Sequence, residues 1–155
     1  MLNPLAFLFS IVLVFQGGSF MIGVLIITHG NVGDELIKAA ELIKGPSKVL
    51  MHVSVDPSKG VESLKKEISS AIKKLDKGQG VLILTDLFGG TPSNLSFSFL
   101  KRDKVEVVTG VNLPMLLKVS DVREDMTLRD FAAYVTDYGR KNIYLASEVL
   151  DRKVG

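Results

Sequence analysis

The hydrophobic positions of this chain fall into short continuous runs that alternate with longer stretches of helical spacing. The continuous runs lie at residues 22–27, 49–53, 81–84 and 104–109, and most of their side chains are Val, Ile or Leu. Runs of this kind are typical of strands that are buried on both faces of a parallel sheet. We therefore predict four strands, each followed by a helix.

The apolar residues of the intervening stretches recur every three or four positions, as they do on the buried face of a helix. The first helix is expected to end at Gly45 and Pro46. The second is expected to begin near Asp56, with Ser58 as a candidate N-cap. The apolar stripes are Val32, Leu36, Ala39, Ala40 and Ile43 in the first helix, and Val61, Leu64, Ile68, Ala71, Ile72 and Leu75 in the second.

A third helix is expected after Pro92, because proline is favoured in the first helical turn. Segments 113–119 and 128–138 also have helical spacing. Segment 142–149 fits either a final strand or the tail of a helix, and the pattern leaves both open. This order predicts an α/β fold with a single doubly wound, mostly parallel sheet of four or five strands and helices on both faces.

The first twenty residues do not continue this pattern, and we expect the domain to span residues 21–155. Their apolar run, at 5–15, is too short to span a membrane. No Lys or Arg precedes the run, as one would in a signal peptide. Met21 stands directly before the first strand, which favours translation from that residue and makes residues 1–20 an extension of the gene model or a tag. A targeting or anchoring segment and a genuine additional element are the alternatives.

Charge and composition exclude several classes of function. The formal net charge is +2, and basic residues are interspersed with acidic ones. Since DNA binding needs a clustered basic surface, we expect no nucleic-acid partner. The absence of Cys excludes disulfides, thiolate metal ligands and cysteine nucleophiles. The sequence also has no glycine-rich nucleotide loop and no zinc-binding spacing of its two His, so we expect no metal and no cofactor.

Candidate chemistry lies where the predicted strands end. The carboxyl ends of parallel strands meet at one edge of the sheet, where open sheets bind their ligands. His29 ends the first strand, and Asp86 follows the third. Neutral imidazole is a nucleophile, and the Asp86 carboxylate could accept a hydrogen bond from Nδ1–H and leave Nε2 free. We therefore take His29 and Asp86 as the candidate catalytic pair, with a phosphoryl group carried on Nε2.

Glycine-rich turns beside this pair could bind the phosphoryl oxygens through backbone N–H groups. The candidates are Gly30, directly after the histidine, and Gly89, Gly90 and the Thr91 hydroxyl at the start of the third helix. Taken singly, each of these is more typical of an ordinary turn, and only their placement at one edge favours a site. His52 has no evident partner in the sequence and is interpreted as structural.

Three segments resemble the IIA component of mannose/fructose/sorbose-type phosphotransferase systems (PTS). They are 26–30 (IITHG), 86–94 (DLFGGTPSN) and 110–116 (GVNLPML), and the resemblance covers nearly all of residues 21–150. It implies a cytoplasmic phosphotransferase that takes a phosphoryl group from the general carrier protein HPr and passes it to a IIB component during sugar uptake. Contact with the membrane is then expected only through IIC and IID partners.

The resemblance also implies roles for individual residues. His29 matches the phosphorylated histidine of the family, and Asp86 matches the aspartate that hydrogen-bonds it. Thr91 occupies the Ser/Thr position beside the phosphoryl group. On this basis, these three residues are expected to lie together at the edge of the sheet.

Other parts of the resemblance concern loops and assembly. Phe88, Asn112 and Pro114 belong to the same segments and are expected to dock partners or to shape the loops. Domains of this family are homodimers that exchange a C-terminal strand. The resemblance therefore implies that segment 142–149 is a strand, antiparallel to its neighbour and exchanged with a second copy.

Two further functions fit the same residues. One is a regulatory phosphocarrier, which has the same chemistry but no role in transport. The other is a non-catalytic dimer that senses a small ligand with the same loops. Phosphate transfer from phosphorylated HPr would separate a carrier from a sensor, and neighbouring genes for IIB, IIC and IID components would favour transport.

Overall fold

A computed structural model describes residues 21–121 and 125–151 of the chain. The extension expected at residues 1–20 lies outside the described residues, as do the last four residues of the expected domain. The strands are β1 (Gly23–His29), β2 (Leu50–Val55), β3 (Val81–Thr85) and β4 (Val105–Thr109). The helices are α1 (Val32–Lys44), α2 (Val61–Leu75), α3 (Thr91–Phe97), α4 (Leu113–Leu117), α5 (Leu128–Lys141) and α6 (Ala146–Asp151), with a 3₁₀ turn at Val119–Asp121.

The strands form one sheet in the order β2-β1-β3-β4, and all three pairs of neighbours are parallel. In this register Ile27 of β1 lies between Val53 of β2 and Thr85 of β3. The chain leaves β1 towards one side of the sheet to form β2 and then crosses to the other side to form β3. Connections therefore diverge between the carboxyl ends of β1 and β3, which is where sheets of this type open a crevice for ligands.

Helices cover both faces of the sheet, which confirms the predicted doubly wound α/β fold. On one face, α1, α4 and α5 pack against side chains that include Val24, Ile26, Leu82 and Leu84. On the other, α2 and α3 pack against Leu25, Ile27, Val81, Ile83 and Val105. These strand side chains are almost fully buried, and each stabilises the fold by about 1.5–3 kcal/mol relative to an exposed side chain. This rigid core fixes the positions of the strand ends.

The start of α2 differs from the sequence-based prediction. Its N-cap is Gly60 and not Ser58. The Asp56 carboxylate accepts the backbone N–H of Ser58 at 2.8 Å, and the Asp56 carbonyl accepts that of Lys59 at 3.0 Å. These bonds close a turn after β2, so that the helix begins at Val61.

The C-terminal segment also differs from the prediction. Instead of the antiparallel strand expected within 142–149, residues Ala146–Asp151 form a helix in which no residue is buried. Ala, Glu and Leu in this segment are good helix formers, and an exchanged strand would find its hydrogen-bonding partner only on a second copy. The exchange itself concerns two chains and stays a prediction.

Candidate functional site

His29 and Asp86 meet at the carboxyl edge of the sheet, between β1 and β3. His29 is the last residue of β1, and Asp86 directly follows β3. One carboxylate oxygen, Oδ2, accepts both the backbone N–H and the ring Nδ1–H of His29, each at 2.9 Å. The other, Oδ1, accepts the N–H of Leu87 at 2.9 Å. Parallel pairing of β1 with β3 thus brings together the two residues that the sequence placed at the ends of separate strands.

The charge on Asp86 determines which ring nitrogen of His29 carries the proton. Partial burial raises the pKa of the Asp86 carboxyl, but hydrogen bonds from the backbone and ring of His29 lower it by more, so the pKa lies below its usual value. An ionised carboxylate can only accept hydrogen bonds, so Nδ1 must donate and Nε2 of the neutral ring keeps its lone pair. The imidazole is about half exposed, at 51%, so that an incoming group can reach it.

One glycine directly follows His29 in the chain, and a second lies against its ring. Gly30 has a left-handed φ of 51°, a conformation that glycine adopts without steric cost. Gly90 lies against the ring: a Cβ at this position would stand 3.0 Å from Cε1 and 3.5 Å from Nε2 of His29. The chain therefore approaches the free side of the imidazole closely only because residue 90 has no side chain.

Polar side chains of α3 hold the glycine turn in place. Ser93 Oγ donates to the Gly90 carbonyl at 2.9 Å, and Asn94 Nδ2 donates to the Gly89 carbonyl at 3.3 Å. Thr91, the first residue of the helix, is exposed. The Thr91 hydroxyl makes no hydrogen bond within the described residues and so remains available to a ligand. The sequence analysis missed the parts played by Ser93 and Asn94, for which Ser and Asn directly after a Gly-Gly turn were the available signal.

Large apolar side chains stand exposed beside the catalytic pair. Leu87 and Phe88 are 60% and 75% exposed. The ring of Phe88 packs against that of Phe97 of α3, with a distance of 5.9 Å between the ring centroids. Single exposed apolar residues are common on protein surfaces. Here two adjacent ones directly follow Asp86, which suits a surface that another protein covers.

Asn112 and Pro114 shape the start of α4, and the side-chain hydrogen bonds of Asn112 go to α4 and α5 and not to the candidate catalytic pair. The Asn112 side chain accepts the N–H of Met115 at 3.2 Å and donates to the Gly139 carbonyl of α5 at 3.1 Å. Pro114 occupies the first turn of the helix. Of the two roles that the sequence left open for Asn112, loop shaping is the one that its contacts support.

Thr28, His52 and Ser54 form a polar cluster next to His29 that the sequence analysis did not identify. Thr28 Oγ1 lies 3.3 Å from Nε2 of His52, which therefore has a partner after all. Ser54 Oγ donates to the Gly30 carbonyl at 2.7 Å. Burial lowers the pKa of His52 more than the carboxylates of α1 and α2 raise it, which favours the neutral ring.

Comparison with known proteins identifies the family of this chain. A family model described as the PTS system fructose IIA component (EIIA-man) matches residues 23–136. The chain belongs to the EIIA-man family. It is thus a IIA component of a phosphotransferase system for sugar uptake, as the resemblance in the sequence implied.

Individual relatives of this EIIA-man chain agree with the family match. The fructose-specific EIIA component of Bacillus subtilis is 32% identical over 133 residues, which are 85% of this chain and 91% of that protein. The mannose-specific EIIAB component of Escherichia coli K12 is 31% identical over 124 residues, but the match covers only 38% of that longer protein. Among solved structures, the IIA protein associated with the fucose utilization operon of Streptococcus pneumoniae superposes with a TM-score of 0.75 at 26% identity, over 85% of this chain and 98% of that one.

Neither a metal cluster nor a membrane span is found in the part of this EIIA-man chain that the structure describes. Within residues 21–121 and 125–151, no three His, Asp or Glu side chains are grouped so that they could hold a metal ion. In the same ranges no helix has the length and apolar character needed to cross a bilayer.

On the expectation from the sequence that His29 carries a phosphoryl group, a Gly90→Ala substitution should slow its transfer by about tenfold, because the new methyl group would displace the His29 ring. Gly60→Ala is the matched control, since Gly60 is also an extended N-cap glycine but has nothing within 4 Å of an added Cβ. Both variants should lose a similar amount of stability, on the order of 1 kcal/mol, because alanine is less favourable than glycine at an N-cap. Single-turnover transfer from phospho-HPr measures the difference. Equal rates for the two variants would contradict a close approach of Gly90 to the reacting ring.

Proposed function

We propose that His29 accepts a phosphoryl group from the phosphohistidine of HPr and passes it to a IIB component during sugar uptake. The observation that carries this proposal is the 2.9 Å contact between Nδ1 of His29 and Oδ2 of Asp86, on a half-exposed ring. This contact supports an imidazole that Asp86 orients through Nδ1 and whose Nε2 is open to an incoming group. The EIIA-man match supports the choice of phosphoryl transfer over other imidazole chemistry.

In the transfer, the lone pair of Nε2 attacks the phosphorus of phospho-HPr. A bond forms between Nε2 and phosphorus, while the bond from phosphorus to the donor imidazole breaks and its electron pair returns to the donor nitrogen. Nδ1 keeps its proton, so the phosphorylated ring takes on cationic character. The Asp86 carboxylate, 2.9 Å from Nδ1, stabilises that charge. Transfer to the IIB component reverses these steps with a new acceptor.

Backbone N–H groups of Gly89 and Gly90, with the Thr91 hydroxyl, are the proposed donors to the phosphoryl oxygens. The close approach of Gly90 to the ring and the exposed Thr91 side chain support this assignment. The N–H of Gly30, which the sequence also suggested as a donor, instead donates to the Val55 carbonyl of β2 at 3.4 Å. Amides and hydroxyls are neutral, so they stabilise the group without the strong attraction of a Lys or Arg. A carrier requires this balance, because it has to release what it binds.

Partner proteins complete the proposed reaction, which needs no cofactor. Leu87 and Phe88 are exposed beside the catalytic pair, and we assign them to the surface that HPr and the IIB component cover in turn. Aromatic and aliphatic side chains of this kind are favoured at the centres of protein interfaces. The chain would act in the cytoplasm, and only IIC and IID partners would touch the membrane.

A homodimer is part of the same proposal, with the C-terminal segment of each copy reaching the other. Two observations support it: β4 lies at an edge of the sheet, and Ile143, Tyr144 and Leu145 are 76%, 68% and 63% exposed. A Tyr144→Asp, Leu145→Asp double variant should shift the protein from dimer to monomer in sedimentation and leave its circular dichroism in the strand region unchanged. A monomeric wild type, or a dimer that survives both substitutions, would refute the exchange.

Incubation of the full chain with phosphorylated HPr tests the function. The expected product carries one phosphate that is labile in acid and stable in base, on the peptide that contains His29. The group should then move on when a IIB component is added. A chain that takes no phosphate from HPr would exclude the carrier and leave the ligand-sensing dimer as the alternative.

A further inference from the structure

Two hydroxyl groups converge on the carbonyl of Gly30, the residue that directly follows His29. Thr28 of β1 and Ser54 of β2 are neighbours in the parallel register. Ser54 Oγ donates to the Gly30 carbonyl at 2.7 Å, whereas Thr28 Oγ1 lies at 3.5 Å. At these distances Ser54 makes the strong hydrogen bond and Thr28 at most a weak one.

The hydroxyl of Thr28 makes its shorter contacts with other groups, so Ser54 is the main hydrogen-bond donor to the Gly30 carbonyl. The hydroxyl of Thr28 accepts the buried N–H of Gly33 at 2.9 Å and lies 3.3 Å from Nε2 of His52. Gly33 in turn packs so closely on His52 that an added Cβ would clash with the His52 ring. These contacts fix the first turn of α1 on the sheet, and the Gly30 peptide joins that anchored turn to the catalytic histidine.

The backbone of His29 is thereby held from both sides. Its own N–H donates to Asp86, and the carbonyl of the next residue is held by Ser54. Gly30 has a left-handed φ and no side chain, and its N–H donates to the Val55 carbonyl at 3.4 Å. Without the shorter hydrogen bond from Ser54 to the Gly30 carbonyl, the peptide that follows Gly30 would rotate more freely. The ring of His29 takes its direction from the backbone that Asp86 and Ser54 restrain.

We propose that Ser54 is a positioning residue for phosphoryl transfer by His29. Its hydroxyl restrains the Gly30–Asn31 peptide, one residue beyond His29, so that the Nδ1–Asp86 hydrogen bond and the outward direction of Nε2 are maintained together. This inference rests on the proposed function of His29, but it assigns a role to a residue outside the glycine turn and the catalytic pair. Ser54 acts through the backbone and does not need to touch the phosphoryl group.

Single-turnover transfer from phospho-HPr tests the role of Ser54. Ser54→Ala should lower the maximal rate by about tenfold and leave the half-saturating HPr concentration unchanged. Ser54→Thr keeps the hydroxyl and should restore the rate to within about twofold, and Ser70→Ala, an exposed serine of α2, should match wild type. If Ser54→Ala does not fold, Ser54→Cys replaces it, because a thiol is a weak donor.

A second measurement separates positioning from stability. In the unphosphorylated protein, ¹H–¹⁵N spectra of the His29 ring should show the Nδ1–H tautomer for wild type and Ser54→Thr, and a mixture of tautomers for Ser54→Ala. Wild-type rates with Ser54→Ala, a change only in the half-saturating concentration, or an unchanged tautomer would overturn the proposal. A wild type that takes no phosphate at all would instead refute the proposed function, so the two failures can be told apart.

Discussion

A His29→Ala variant is expected to take no phosphoryl group from phospho-HPr. Alanine offers no nucleophile, and no other group in the described site stands in the same position against both Asp86 and Gly90. The imidazole is about half exposed, so its removal should cost on the order of 1 kcal/mol of stability. Incorporation of labelled phosphate from phospho-HPr measures the loss of phosphoryl transfer, and a thermal unfolding curve checks that the variant is folded.

The second histidine of the chain provides the control for this experiment. The sequence has two His, and His52 lies half-buried beside Thr28 and α1. A His52→Gln variant should therefore still be labelled on His29, although more slowly if the turn after β1 is disturbed. Label that persists in His29→Ala and disappears in His52→Gln would move the phosphorylation site to β2.

Asp86→Asn is expected to fold and to transfer phosphate between about 10² and about 10⁴ times more slowly. The amide is neutral, so it cannot balance the charge that develops on the phosphorylated ring. It can also donate a hydrogen bond, and a donor facing Nδ1 favours the tautomer that places the proton on Nε2, where it blocks attack. The rate of a single turnover from phospho-HPr measures both effects together.

Asp56→Asn is the matched control for the charge of Asp86. Asp56 also follows a strand at the same edge of the sheet, and its carboxylate accepts a backbone N–H, that of Ser58. Its substitution removes one negative charge from the edge without touching the ring and should leave the rate within about twofold of wild type. If both variants were equally slow, the loss of rate would be explained by the removal of a negative charge from this edge of the sheet and not by the hydrogen bond to Nδ1.

The fold could be predicted because its two central strands, β1 and β3, are buried on both faces. Continuous Val, Ile and Leu runs leave few alternatives to a central parallel strand, and all four strands appear within two residues of the predicted bounds. Helix ends were less predictable, since the turn that Asp56 closes makes α2 begin later than the sequence pattern indicated. Helical spacing also placed Val32 and Ile43 in one apolar stripe, but both are more than half exposed.

The candidate site could be predicted in part. His29 and Asp86 stand at strand ends, and the topology of a parallel sheet alone brings such ends to one edge. The contributions of Thr28, His52 and Ser54 could not be predicted, because they depend on the register between β1 and β2 and on hydroxyls that look like ordinary strand residues. The residues at the strand ends suggested a phosphoryl group on Nε2 of His29, whereas the donor HPr and the acceptor IIB component came from the family resemblance.

The most direct test of the account is the position of phosphorus on the imidazole ring. Protein labelled with ¹⁵N-histidine and phosphorylated by phospho-HPr should show one-bond coupling between ³¹P and Nε2 of His29, with the proton retained on Nδ1. Coupling to Nδ1, or to either nitrogen of His52, would contradict the account, because the Asp86 contact could not then orient the nucleophile as the geometry requires.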